Sequence, residues 1–277
     1  MSKFKAIGSS LLVIMLMYFS QMLAYMTASV ALLIGMPTLL YYIIAGVIYF
    51  SLFLVLSKVV FEKVMHMKIF DFGIVPFSVK PIWVIIGIML PLSVIGIYIM
   101  FIRGEFAFAE MSSSKKLETL IGGLFFNGLA VGFVEEMVFR GILFHSLKKA
   151  WNTRTAVIGS SVLFGIIHIL GGGISPASCL ATVISVTTIG IAFSLITIDT
   201  GAVWCSGIIH AIWNFILGSI FTISGKTNES AIITYILNTK SIAITGGDFG
   251  IESSAIAFIL YVIVAIIALY MIKNRDR

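Results

Sequence analysis

Eight apolar stretches, each about long enough to cross a bilayer, follow one another through this 277-residue chain and constrain its fold more than any other feature. A hydrocarbon core of about 30 Å takes about 20 helical residues. On that measure the spans are Ile7–Leu33, Thr38–Val60, Pro81–Phe101, Leu117–Leu147, Thr155–Leu170, Ala177–Ile198, Ala202–Ile223 and Ser254–Ile272, the fifth being short. With 60% of residues apolar and 11% charged, the chain lies outside the range of soluble domains. The apolar runs recur from end to end without a Pro/Ser-rich or charged linker. The expectation is therefore an all-α, polytopic transmembrane helical bundle, one domain over residues 1–277 with a motif-bearing core at 117–223. No internal repeat is evident, which disfavours transporter folds built from inverted halves.

Charge sets the expected orientation. The net charge of +6 does not gather on one face, so a membrane, not a nucleic acid, is the partner it suits. A cytoplasmic N-terminus puts Lys3, Lys5, Lys58, Lys63, Lys68, Lys80, Lys148, Lys149, Arg154, Lys273, Arg275 and Arg277 inside. Only Arg103, Lys115, Lys116, Lys226 and Lys240 then fall outside, a bias that favours two cytoplasmic termini and an even number of spans. The start resembles a signal peptide, but its apolar run continues to Leu33, which predicts an uncleaved first span. Cys179 and Cys205 fall inside spans, where a thiol behaves as a small apolar group. Short loops and strong apolarity suit a prokaryotic cell membrane.

Several features read as structural. Pro91 should kink the third span. Gly122, Gly123, Gly128 and Gly132 crowd the front of the fourth, where small residues let helices approach closely. Lys63, Lys68 and Lys80, interleaved with Phe61, Phe70, Phe72 and Phe77, should lie at the inner headgroup layer beside anionic lipid. His66 and His145 are expected in solvent, Asp199 in a turn, and Gly171–Gly172–Gly173 at a helix stop. Gly225–Glu252 is the longest soluble loop.

Other polar residues sit where lipid makes them costly. Glu135, Glu136 and Arg140 fall within the fourth span, His168 near the end of the fifth, and His210 and Asn214 inside the seventh. An ionisable group in hydrocarbon costs about 2.5 kcal/mol or more, so each needs a partner or a wet cavity. Four-residue spacing lets Glu136 reach Arg140 and sets His210 beside Asn214, while Glu135 leaves the helix about 100° away from Glu136. The expectation is that Glu136 pairs and Glu135 does chemistry. If the fourth and fifth spans form a hairpin about Trp151–Asn152, Glu135 and His168 share one depth, with His210 at a similar depth in its own span.

A carboxylate beside an imidazole in a partly dry cavity can position a water and take its proton as it attacks a carbonyl. A second histidine and an amide can donate to the oxyanion that forms. No serine or cysteine stands at a triad-like position, so direct attack by water is the simpler route. Glu135, His168 and His210 could instead hold a catalytic Zn2+, although no His-Glu-x-x-His helix is present.

Glu135 to Gly141 reads EExxFRG, Phe164 to His168 reads FxxxH, and His210 to Asn214 reads HxxxN. In this order, within an eight-span chain, they resemble the signature of the CAAX-protease and bacteriocin-processing (CPBP, or Abi) family, related to the Rce1-type prenyl protein endopeptidases. The similarity covers about Leu120 to Asn214. It implies an intramembrane endopeptidase in which Glu135 and His168 activate water and His210 and Asn214 form the oxyanion site. Similar proteins have been treated both as metalloproteases and as metal-independent glutamate proteases. The implied partner is a membrane-associated peptide or protein, lipidated or a secreted-peptide precursor. A proton-coupled transporter and a non-catalytic immunity or binding protein are the competing classes.

Overall fold

The computed structural model describes residues 1–171, 173–226, 228 and 230–275. Gly172 of the expected helix stop and Arg277 of the expected basic set lie outside them. Helices α1 (Lys3–Leu33), α2 (Thr38–Val64), α3 (Pro81–Phe101), α4 (Ser113–Ala150), α5 (Thr153–Ile167), α6 (Pro176–Thr200), α7 (Trp204–Ile220) and α8 (Ala255–Arg275) cover the eight expected spans. Among the described residues, six are long and apolar enough to cross a membrane, while α5 and α7 are apolar but shorter. Their ends follow local chemistry. Pro81 and Pro176 open α3 and α6, where a missing N–H is no loss. The Asn152 side chain caps α5 by accepting from the Thr155 amide at 2.8 Å. Gly201, at φ +71°, stops α6 in the left-handed region that glycine favours. α3 runs without a break through the buried Pro91.

The basic residues gather at one end of the bundle. There the Met1 amino group lies 3.5 Å from the Lys149 carbonyl and Lys5 Nζ donates to the Met65 carbonyl at 2.8 Å. Arg275 donates to the carbonyls of Ile198 and Asp199 at 2.8 Å each, so the first and last helices have their outer termini at the same end. Asp199 is not in a turn, as expected. It is buried in the last turn of α6, 2.8 Å from Lys80 Nζ, and ties α3 to α6. His145 is not solvated either: its Nδ1 is 2.8 Å from the Gly141 carbonyl and its ring lies against Gly73. Phe61 and Phe72 are buried in the protein, where their rings meet edge to face at 5.3 Å, while Phe70 and Phe77 are exposed.

The opposite end carries a small sheet that helical periodicity did not predict. Strands β1 (Gly104–Phe108), β2 (Phe221–Ser224) and β3 (Ile233–Leu237) lie in the order β1-β3-β2, with β1 antiparallel and β2 parallel to β3. The seventh span, expected to reach Ile223, therefore stops at Ile220. Phe221, Thr222 and Ile223 are aromatic or β-branched and suit a pleated surface, and β3 supplies the partner that their sequence does not reveal. The expected soluble loop 225–252 contains β3 and the short helical turns Ile242–Thr245 and Ile251–Ser253.

α4 is the central helix. Its Gly132 faces α7 so closely that a Cβ there would stand 2.9 Å from the Ala211 amide nitrogen, and one on Gly128 would stand 3.1 Å from the Ala211 carbonyl. The glycines expected to serve packing thus seat α7 against α4. This contact sets the distance and rotation between the two helices that carry most of the polar residues.

Candidate active site

Within α4 the α-helical segment Gly132–Glu136 is flanked by two π-helical stretches, Gly122–Val131 and Met137–Leu143. A π turn holds more residues than an α turn, and such turns occur most often at functional sites. Here they set the rotation at which Glu135 and Glu136 leave the helix. Glu136 and Arg140 are both fully buried, with Arg140 Nη1 donating to Glu136 Oε1 at 2.9 Å, the i,i+4 pair that the spacing predicts. The guanidinium stacks 4.1 Å from the Phe164 ring centre and 5.3 Å from that of Phe193. Gly190 makes the room, since a Cβ there would lie 2.9 Å from Arg140 Nη2.

His210, on α7, stands between the two glutamates. Its Nδ1 is 3.3 Å from Glu136 Oε1, the same oxygen that Arg140 holds, and its Nε2 is 3.8 Å from Glu135 Oε2. Glu135 Oε2 is buried and has no hydrogen-bond partner among the described residues. The reading that separated a pairing Glu136 from a chemical Glu135 missed this link, because it treated Glu136 as satisfied by Arg140 alone.

His168 caps the C-terminus of α5, just beyond its last turn. Its Nδ1–H donates to the Phe164 carbonyl at 2.7 Å, which leaves Nε2 as the acceptor. Asn214, one turn after His210, donates its amide to the Asn127 carbonyl at 3.0 Å and so pins α7 to the first π-helical stretch of α4. His168, His210 and Asn214 line one cavity, walled by Phe164, Phe193 and Trp213. It offers water about 30 Å3, room for about two molecules. Glu135 is not on its lining and approaches it through His210.

One charged lining residue escaped the sequence reading. Glu252, from the turn Ile251–Ser253 at the sheet end, lines the same cavity and accepts from Trp213 Nε1 at 3.0 Å. A lone acid 38 residues beyond Asn214, in a loop, carries no motif that could have singled it out. Phe249 of the same loop sets its ring 5.9 Å from that of His168. The loop is tied down where Asp248 Oδ2 accepts from the Ser175 amide at 2.9 Å. Hydrogen bonds from the Ser175 hydroxyl and amide hold the Asp248 carboxyl below its usual range.

A metal would need its ligands together. Among the described residues no group of three His, Cys, Asp or Glu side chains is placed to hold one, and Glu135, His168 and His210 do not form such a set.

Residues 117–216 match the family described as type II CAAX prenyl endopeptidase Rce1-like, which places this stretch with the CPBP and Rce1-type proteases. The match spans α4 to α7 and contains Glu135, His168, His210 and Asn214. No curated protein and no solved structure matches the chain. The apolar helices and this kinship together make the chain an integral membrane protein.

Proposed function

We propose, from the premise that residues 117–216 form an Rce1-like domain, that the protein is an intramembrane endopeptidase that hydrolyses a membrane-associated peptide with activated water. The observation that carries this reading is the meeting of His168, His210 and Asn214, from two helices, on one small cavity, with Glu135 at the far nitrogen of His210. Buried polar groups are costly in lipid, and three of them around water-sized space fit hydrolysis better than packing.

Each group has a step it suits. The free Nε2 of His168 orients a water in the cavity, and Glu135, whose carboxylate turns past His210 to reach it, takes the water's proton as the oxygen attacks the peptide carbonyl. The oxyanion receives hydrogen bonds from the Asn214 amide and from His210 Nε2–H in its imidazolium form, whose charge Glu136 balances at Nδ1. As the C–N bond breaks, the proton held by Glu135 passes to the leaving nitrogen. The new carboxylate and amine then depart.

By the positive-inside bias the basic end is cytoplasmic. The cavity then lies toward the other face, under the Glu252 turn, and favours a secreted or surface peptide over a cytosolic prenylated tail. The test uses purified protein in liposomes with a farnesylated CAAX peptide, its unprenylated counterpart and a secreted-peptide precursor, with products read by mass spectrometry. Cleavage that survives a chelator and vanishes in Glu135→Ala is the expected result. Wild-type cleavage by that variant removes Glu135 from the mechanism, and ion flux without any cut peptide favours a transporter. Labelling of a Ser230→Cys variant by an impermeant thiol reagent only from the cytoplasmic side would reverse the orientation.

A further inference from the structure

Two apolar walls hold the His210 ring, Phe193 at 5.6 Å and Phe164 at 6.0 Å between ring centres. Such walls fix the plane of an imidazole but not which edge faces which way, because turning the ring over about Cβ–Cγ exchanges Nδ1 with a carbon of nearly the same size. Only a polar partner can choose. The partner at Nδ1 is Glu136 Oε1, at 3.3 Å.

We propose that Glu136 is the positioning residue of His210: by accepting its Nδ1–H, Glu136 selects one ring orientation and aims Nε2 at Glu135 and the cavity. Arg140 completes the device. Its Nη1 binds the same Glu136 oxygen at 2.9 Å, so the carboxylate is held in place from behind while it receives the histidine. The three groups form a line from Arg140 through Glu136 to His210, and its last member is the one that faces the cavity. The fixed spacing of a helix turn explains Arg140 and Glu136 meeting each other, but not the sharing of one oxygen with a residue 74 positions away. Acceptors behind a metal-bound imidazole fix its orientation and their loss commonly costs about 10- to 100-fold in function, the scale expected for an acceptor behind His210.

This inference rests on the peptidase reading for its kinetic arm only. Removing Glu136 alone would strand the buried Arg140 and endanger folding, so the informative variant is Glu136→Met with Arg140→Met, which removes both buried charges together. In wild type, proton and nitrogen NMR of histidine-labelled protein in nanodiscs should show a downfield, hydrogen-bonded Nδ1–H, assigned to His210 by its loss in His210→Gln. The double variant should accumulate and lose that signal, with kcat down about 10- to 100-fold and KM unchanged. Glu136→Gln with Arg140→Met restores an acceptor oxygen and should recover both signal and turnover. A double variant that keeps the resonance or cleaves as wild type does would overturn the proposal, as would a wild type without the resonance. If the double variant does not accumulate, the Gln variant decides by the same signal: presence supports the proposal and absence overturns it. A wild type that cleaves none of the three peptides sinks the peptidase reading, and the resonance still decides the role of Glu136.

Discussion

Among the described residues Arg140 has a single acidic hydrogen-bond partner and an aromatic surround, and none of its surface is exposed. Its charge is tolerable only because Glu136 carries the opposite one. Arg140→Met on its own should therefore destabilise the protein by about 3–5 kcal/mol, far more than the paired exchange of both residues. Thermal unfolding of the two variants in the same detergent checks this, and equal melting points would show that the pair is not a coupled unit. The i,i+4 pair could be read in the sequence because helix geometry alone sets the distance between its members. The link from Glu136 to His210 could not, because it depends on how two distant helices are rotated against each other. Glu252 was hidden for a related reason: the fold, not a local pattern, carries it to the cavity.

That rotation is decided between α4 and α7. The glycines of α4 were legible as packing residues, since small residues at four-residue spacing have a general use in lipid. Which helix they receive was not legible, and neither were the π-helical stretches that turn Glu135 and Glu136 to their present directions. Short strands between apolar helices also carry too few residues for an alternating pattern to stand out, so β2 read as the tail of a span. The close approach gives an element-scale prediction. Gly132→Leu should force α7 away from α4, at a cost of about 1–3 kcal/mol or more, and separate His210 from both glutamates. Cross-linking yield between cysteines placed on α4 and α7 should fall with it, and an unchanged yield together with normal cleavage would show that the helices are free to adjust.

On the scale of the whole bundle, the eight helices expected from apolar runs are present with their ends shifted by a few residues, because hydrophobic length is written directly in sequence. The gathering of basic residues at one end was legible in the same way, and the contacts of Met1 with the Lys149 carbonyl, Lys5 with the Met65 carbonyl and Lys80 with Asp199 lie at that end. The unequal lengths of the helices have a further consequence. α5 has 15 residues, a rise of about 22 Å, against a lipid core of about 30 Å. It stops just before His168, and the other short helix, α7, bears His210 and Asn214. A bilayer matched to the long helices is too thick for α5, whose Ile158, Leu163 and Ile166 are exposed, so lipid beside it must dimple or yield to solvent. Thinner bilayers should accordingly raise peptide turnover and thicker ones suppress it, a trend measurable across phosphatidylcholines of increasing acyl length. In that sense the membrane's own thickness acts as a throttle on how readily water reaches the histidines.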